Sequence, residues 1–177
     1  MNNLINIKQL QKFCSMEITQ IMKMLDGETA GSIGNQYAFK DNDSSILAVA
    51  HLDTVQKESH TGIVRLKNET LVFNPKLDDR LGVYTILHVL PKLGIKADIL
   101  FTENEEKGKT TASYFRTEKE YNWIVEFDRR GSDAVTYDYH WKDVVEKYFE
   151  TGLGSFSDIS ELEHLGCKAV NIGIGYY

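Results

Sequence analysis

The sequence predicts a three-layer α/β/α fold with a mixed, mainly parallel central sheet, in a single domain over residues 1–177. Two observations carry the prediction. Short apolar runs alternate with stretches of helical periodicity, the pattern of βαβ units. The composition, 42% hydrophobic and 26% charged, is that of a chain able to bury a core.

The elements follow in order. Ile7, Leu10, Phe13, Cys14, Ile18, Ile21, Met22 and Leu25 recur at helical spacing, so residues 7–25 read as one amphipathic helix ending near Asp26-Gly27. Ser45-Ile-Leu-Ala-Val-Ala-His51 is a buried strand that delivers His51 at its carboxyl end. Residues 62–73 alternate around Lys67-Asn-Glu-Thr70, a hairpin. Asp79 to Leu90 is a helix stopped before Pro91, and Ala97 to Thr102 is a strand followed by Glu103, Glu105 and Glu106. Thr110 to about Tyr114 is helical, and Tyr121 to Asp128 is a strand with Asp128 at its end. A short strand Ala134–Tyr137, helices over 141–149 and 157–165, and a strand Ala169–Ile174 complete the chain.

Charge and composition narrow the function. With 20 Lys+Arg against 26 Asp+Glu the net charge is −6, which lacks the electrostatic footprint of a nucleic-acid binder. No apolar run reaches the roughly 18 residues of a membrane span, and the N-terminus has no secretory pattern. Cys14 and Cys167 are the two cysteines and form no CxxC, which points to buried thiols in a reducing cytoplasm.

In parallel sheets ligands sit outside the carboxyl ends of the strands. His51, Glu105, Glu106 and Asp128 all fall there, with Asp53 two residues after His51 and Asp78-Asp79 opening a helix. This is the inventory of a hydrolytic zinc site: imidazole and carboxylate ligands, a carboxylate to orient the imidazole, and a glutamate free to take a proton from water. Each feature alone has a plainer reading, a surface loop for His51-Leu-Asp53 and a helix cap for Asp78 and Asp79. Their order at successive strand ends favours the site.

Ala50-His51-Leu-Asp53-Thr-Val55, Leu77-Asp78-Asp79-Arg80-Leu-Gly82, Thr102-Glu-Asn-Glu105-Glu106-Lys-Gly108 and Glu126-Phe-Asp128 resemble the zinc-dependent exopeptidases and deacylases. These include dizinc aminopeptidases, peptidase T-like tripeptidases and acetylornithine deacetylase-like amidohydrolases. The resemblance spans about residues 46–175. It implies that His51 and Asp128 bind a first metal, Glu106 a second, and Asp78 bridges the two. It implies Glu105 as general base and Asp53 as the orienter of His51, leaving Asp79 as a cap or supporting group. Ser157 and Asp158, in Gly154-Ser-Phe-Ser157-Asp158, resemble a segment near the substrate, and Arg129 is a candidate for a substrate carboxylate or equally a surface ion-pair partner. The implied cofactor is zinc at two sites, with cobalt or manganese as alternatives. The implied substrate is a peptide or acyl-amino acid. The 27 positions between His51 and Asp78, and the 29 between Asp128 and Ser157, leave no room for the family's inserted domains.

The family's last metal-ligating histidine has no counterpart after Val170-Asn-Ile-Gly-Ile-Gly-Tyr-Tyr177. The second site therefore has only Asp78 and Glu106. His60 and His140 are the substitutes to consider, whereas His164 reads as a surface residue and His88 as structural. Truncation or a weakened second site is the expectation. Working with one metal, a ligand from another subunit, and an inactive metal-binding relative acting as an interaction protein stay open. An oligomer is possible but not predicted.

Overall fold

The computed structural model describes residues 4–55, 62–65, 67, 70–73, 76–137 and 141–175. His60 and His140 lie outside these residues.

Nine strands are described: β1 (Glu28–Ser32), β2 (Asn35–Lys40), β3 (Ile46–His51), β4 (Gly62–Arg65), β5 (Thr70–Phe73), β6 (Asp98–Thr102), β7 (Trp123–Arg129), β8 (Ala134–Val135) and β9 (Lys168–Gly173). Seven form one sheet in the order β1-β2-β6-β3-β7-β9-β8. The central four, β6, β3, β7 and β9, are mutually parallel; β2 and β8 run antiparallel to them, and β1 pairs antiparallel with β2. β4 and β5 pair separately as the expected hairpin. The sheet is mixed with a parallel centre, so the fold class read from the sequence holds.

Alternation decides which side chain faces which layer. In β3, Ala48 and Ala50 face one core with Ile99 and Phe101 of β6. Leu47 and Val49 face the other with Leu100 and Ile124. The first core is covered by α1 (Ile7–Ser15), α2 (Ile18–Leu25) and α3 (Leu77–Tyr84), where Phe13, Ile21, Leu25, Val83 and Tyr84 are buried. The second is covered by 3-10 turns at Thr111–Tyr114, Asp158–Glu161 and Glu163–Leu165, with Phe115, Ile159 and Leu162 buried beneath them. His51, Thr102 and Asp128 continue the alternation onto this second face. Cys14 and Cys167 are buried free thiols.

Four expectations need correction. The helix at 7–25 is two helices, because Met16 and Glu17 are extended (ψ 143° and 153°) and Glu17 starts α2 in a reciprocal cap with Gln20. The helix at 79–90 passes Pro91: a wide turn at Thr85–Val89 leads into α4 (Leu90–Lys92), and Pro91 sits near the start of that segment, where a missing N–H costs little. The helices at 141–149 and 157–165 shrink to α5 (Lys142–Val145) and 3-10 turns. Ser157 and Ser160 bond locally there, which competes with a regular helix. Residues 28–40, unassigned from the sequence, form the β1–β2 hairpin; β1 is exposed throughout, so no periodic apolar pattern marks it.

The sheet is anchored at its amino edge by Asp98. Its carboxylate, buried on β6, accepts from the Asn42 and Ser44 amides (2.9 and 3.0 Å), Lys119 Nζ (2.6 Å) and Tyr121 Oη (2.9 Å). Asp98→Ala strands these donors at once, and unmade buried hydrogen bonds are costly. We expect it to lower unfolding stability by about 2–4 kcal/mol in urea denaturation; a loss under about 0.5 kcal/mol, the range of neutral surface changes, would show that the network is dispensable.

Candidate metal centre

β3 ends in His51, and its side chain is fully buried. Nδ1 lies 2.9 Å from the Asp53 main-chain oxygen. A carbonyl only accepts, so Nδ1 carries the proton and Nε2 is left to face the site. Around Nε2 stand Asp78 Oδ1 at 3.2 Å, Asp128 Oδ2 at 3.6 Å and Glu105 Oε2 at 3.9 Å.

Each carboxylate has its own support. Asp128 lies within a break in the β7–β9 register, between Glu126 and Arg129, where Asn171 replaces the lost ladder bonds: its Oδ1 accepts from Asp128 N at 3.0 Å and its Nδ2 donates to Asp128 O at 3.2 Å. Asp78 and Asp79 open α3 in non-helical conformations, joined by a cis peptide bond. Asp79 Oδ1 accepts from Gly82 N at 3.0 Å, as a cap does, while the buried Oδ2 has no hydrogen-bond partner among the described residues. Glu105 and Glu106 lie in a 3-10 turn (Glu105–Lys107) just past β6. Their amides donate to the two oxygens of Asp53 at 3.3 and 3.2 Å. Asp53 thus holds His51 through its backbone and the glutamate loop through its side chain; its own Oδ1 is 3.6 Å from His51 Nδ1.

The same loop is latched to the β1–β2 hairpin. Gln36 N donates to Glu103 Oε2 (2.7 Å), and Asn104 Nδ2 donates to Gly34 O (3.0 Å) and Asn35 Oδ1 (3.2 Å). Neither the hairpin nor Asn171 was found from the sequence. An exposed strand carries no apolar signal, and an asparagine within an apolar strand is visible but gives no hint of what it bonds.

Two donor sets can hold a metal ion: His51, Asp79 and Asp128, and His51, Asp78 and Glu106, the donor atoms of each lying within 4.8 Å of one another. Asp78 and Asp79 are therefore both at the centre, one in each set. The residues fit divalent ions in donor chemistry, an imidazole with carboxylates, and in the orphaned Asp79 Oδ2. The electrostatics agree. Burial favours a neutral His51, but hydrogen bonds to Asp128, Asp53 and Asp78 outweigh it and hold the imidazole pKa well above its ordinary value. Burial pushes Asp79 well up, helped by Asp128. Burial likewise raises Glu105 to about 8, against the pull of His51 and with the push of Asp128. Glu126, buried one pleat below Asp128, is driven up by burial and by Asp158. Protons here do the work that cations would do.

The remaining candidates sit further out. Asp158 is buried and accepts from Thr102 Oγ1 (2.6 Å) and from Thr110 Oγ1, tying β6 to the 3-10 layer, with Ser157 buried beside it. Arg129 forks onto Asp133 through Nε (2.8 Å) and Nη2 (2.6 Å). His164 Nε2 lies on Phe115 O (3.0 Å), and His88 stacks on Tyr84 (4.9 Å between centroids); neither joins the donor sets.

Solved structures share this fold. The chain superposes on aminopeptidase PepT from Bacillus cereus with TM-score 0.53 and 16% identity, covering 76% of this chain and 47% of that one. It superposes on a Zn-dependent exopeptidase from Parabacteroides distasonis with TM-score 0.52 and 14% identity, covering 96% and 76%. The fold is that of the zinc-dependent exopeptidases. It is not confined to peptidases: a glutaminyl cyclase from Porphyromonas gingivalis matches with TM-score 0.54 and 14% identity over 94% of this chain and 80% of that one. The chain spans about half the length of the PepT structure. No protein-family model and no curated protein sequence matches it. Among the described residues, no helix of this exopeptidase fold is long and apolar enough to cross a membrane.

Two predictions follow from the centre. A Cβ on Gly82 would lie 2.1 Å from Asp79 Oδ1. Gly82→Ala should therefore displace Asp79 and weaken zinc binding at least about tenfold, the scale of losing a ligand's support, although alanine is the better helix former. Unchanged zinc affinity in competition with a chromogenic chelator would refute the role of Asp79. Because the pKa values of His51 and Asp79 are both held above their ordinary values, an incoming ion competes with protons for them, so apparent affinity should rise with pH, about tenfold per unit for each proton displaced. Calorimetric titration in buffers of different ionisation enthalpy reads this directly; heats independent of buffer would contradict it.

Proposed function

We propose that this chain is the catalytic domain of a metal-dependent hydrolase of peptide or amide bonds, of the aminopeptidase or dipeptidase kind, acting on a peptide or acyl-amino acid. The observation that carries the reading is the convergence of Asp78, Asp128 and Glu105 on Nε2 of His51, with Asp79 and Glu106 in the donor sets around that histidine, at the carboxyl edge of parallel strands. Such a concentration of like charge at a buried histidine makes sense as a divalent-ion site. The exopeptidase fold agrees with it.

Zinc, or cobalt or manganese in its place, would be held by His51, Asp78, Asp79, Asp128 and Glu106, and when bound supplies Lewis acidity toward a carbonyl oxygen and a lowered pKa for water. The protein's own residues do the rest. The Asp53 carbonyl keeps the His51 proton on Nδ1 and so keeps Nε2 available. Asp53 also fixes the backbone of Glu105, leaving the Glu105 carboxylate over the centre. Glu105 takes the proton of the attacking water and returns it to the leaving nitrogen, so the base is regenerated. Glu106 completes the second donor set. Asp158 and Ser157 support the floor beneath, and Arg129 would meet a substrate carboxylate only by giving up part of its hold on Asp133.

The test is metal content and turnover together. Chains purified without chelator should carry zinc-type metal that His51→Ala removes, and should cleave members of a peptide and acyl-amino-acid panel. Glu105→Gln should keep the metal and lose about 10²- to 10⁴-fold in kcat, the usual worth of a general base. Metal-dependent cleavage that survives Glu105→Gln would remove Glu105 as the base. Stoichiometric metal without cleavage across the panel would make the chain a metal-binding relative without turnover.

A further inference from the structure

The sheet carries a buried carboxylate that the metal centre does not use. Glu126 lies on β7 between Val49 of β3 and Asn171 of β9, one pleat below Asp128. It is fully buried, and neither of its carboxylate oxygens has a hydrogen-bond partner among the described residues. The turn Asp158–Glu161 packs against this strand. Asp158, at the start of that turn, is fully buried too, and it is the charge that presses hardest on Glu126. The two carboxylates are served unequally. Asp158 accepts from the hydroxyls of Thr102 and Thr110, whereas Glu126 accepts from none. Beside them is the hydroxyl of Ser157, buried and also without a partner, and near enough to Glu126 to act on its carboxylate.

Buried charges are ordinarily paired or bound to a metal. Neither Glu126 nor Asp158 pairs with a lysine or arginine among the described residues. Neither belongs to the donor sets around His51. A strand and a turn thus bring together both oxygens of Glu126, the Ser157 hydroxyl and those acceptor sites of Asp158 that the two threonines leave open, a carboxylate having about four in all. Every one of these donors is oxygen. Such a set suits a hard cation, while the imidazole and carboxylates above suit a zinc-type ion. A buried water would satisfy hydrogen bonds here but leave two like charges opposed. A cation answers both needs.

We infer that Glu126, Ser157 and Asp158 form a separate cation site beneath the metal centre, for a hard ion of the potassium, sodium or calcium kind. The inference does not rest on the hydrolase reading. The ion would tie β7 to the turn Asp158–Glu161, as Asp158 ties β6 to it through Thr102. It would thereby brace the strand that presents Asp128.

Melting temperature reads the site without turnover. The chain is stripped with chelator, dialysed into choline chloride, whose cation is too bulky for a buried site, and melted in potassium, sodium or calcium chloride at matched ionic strength. At least one of these ions should raise the melting temperature saturably by about 3 °C or more, as a ligand bound only to the folded chain does, and the ion that does so is the occupant. Glu126→Gln keeps the shape and removes the charge, so it should abolish the rise and melt in choline no lower than the unsubstituted chain. Ser157→Ala should move the half-maximal ion concentration up about tenfold. His51→Ala, which dismantles the centre above, should keep the rise. The inference is overturned if no ion gives a saturable rise, if the rise survives Glu126→Gln, if Ser157→Ala leaves the half-maximal concentration where it was, or if the rise disappears with His51→Ala, which would put the ion in the centre above.

Discussion

The architecture of the carboxyl edge depends on one constraint: a buried imidazole has to be shared among several carboxylates that repel one another. His51 is fully buried; Asp78, Asp128 and Glu105 stand at its Nε2, and Asp79 and Glu106 belong to the donor sets around it. Free in solution, such groups would separate. They stay because each is fixed by backbone: Asp128 by the Asn171 clasp, Asp79 by the Gly82 amide, and the glutamates by their own amides on Asp53. The energy that holds them together comes from elsewhere, from the two apolar cores and the Asp98 network. A site built this way is unsatisfied without positive charge, and the raised pKa values of His51, Asp79 and Glu105 are the protein's response to that imbalance.

Asp53 shows how few residues the arrangement needs. Its carbonyl sets the tautomer of His51, and its carboxylate sets the path of the loop that presents Glu105 and Glu106. The imidazole and the Glu105 carboxylate are thereby referred to a single residue, so their relative position does not depend on a chain of contacts through the core. The hairpin gives the loop a second point of attachment, on the side away from His51. A loop pinned at both sides can keep a carboxylate close to an imidazole at little reorganisation cost, which is what preorganised catalysis requires.

The layers around the sheet are unequal. Helices α1 to α3 cover one face, while the other, to which His51, Thr102 and Asp128 point, is closed by 3-10 turns pinned through Asp158. Polar strand-end residues can lie in that thinner layer because its own hydroxyl groups, Thr102 and Thr110, satisfy the buried carboxylate of Asp158. The conditions that shorten the predicted helix of residues 157–165 are thus the conditions that make the layer polar.

The central strands β3, β6, β7 and β9 were legible because strands buried on both faces read as continuous apolar runs, and their carboxyl ends could be located to within a residue or two. From those ends came His51, Glu105, Glu106 and Asp128, the residues whose convergence defines the centre. What the sequence left dark has one physical reason: it depends on partners distant along the chain. The exposed strand β1 has no apolar period and exists because β2 pairs with it; Asn171 matters because Asp128 lies 43 positions away; Asp53 holds His51 through a carbonyl that every residue carries. The division between Asp78 and Asp79 likewise follows from their non-helical backbone at the start of α3, which turns both carboxylates toward His51. Side-chain chemistry and hydrophobic period are properties of the sequence and determined the fold class and the ligand inventory. The tertiary structure decided backbone hydrogen bonding and long-range register, because only folding brings those atoms together.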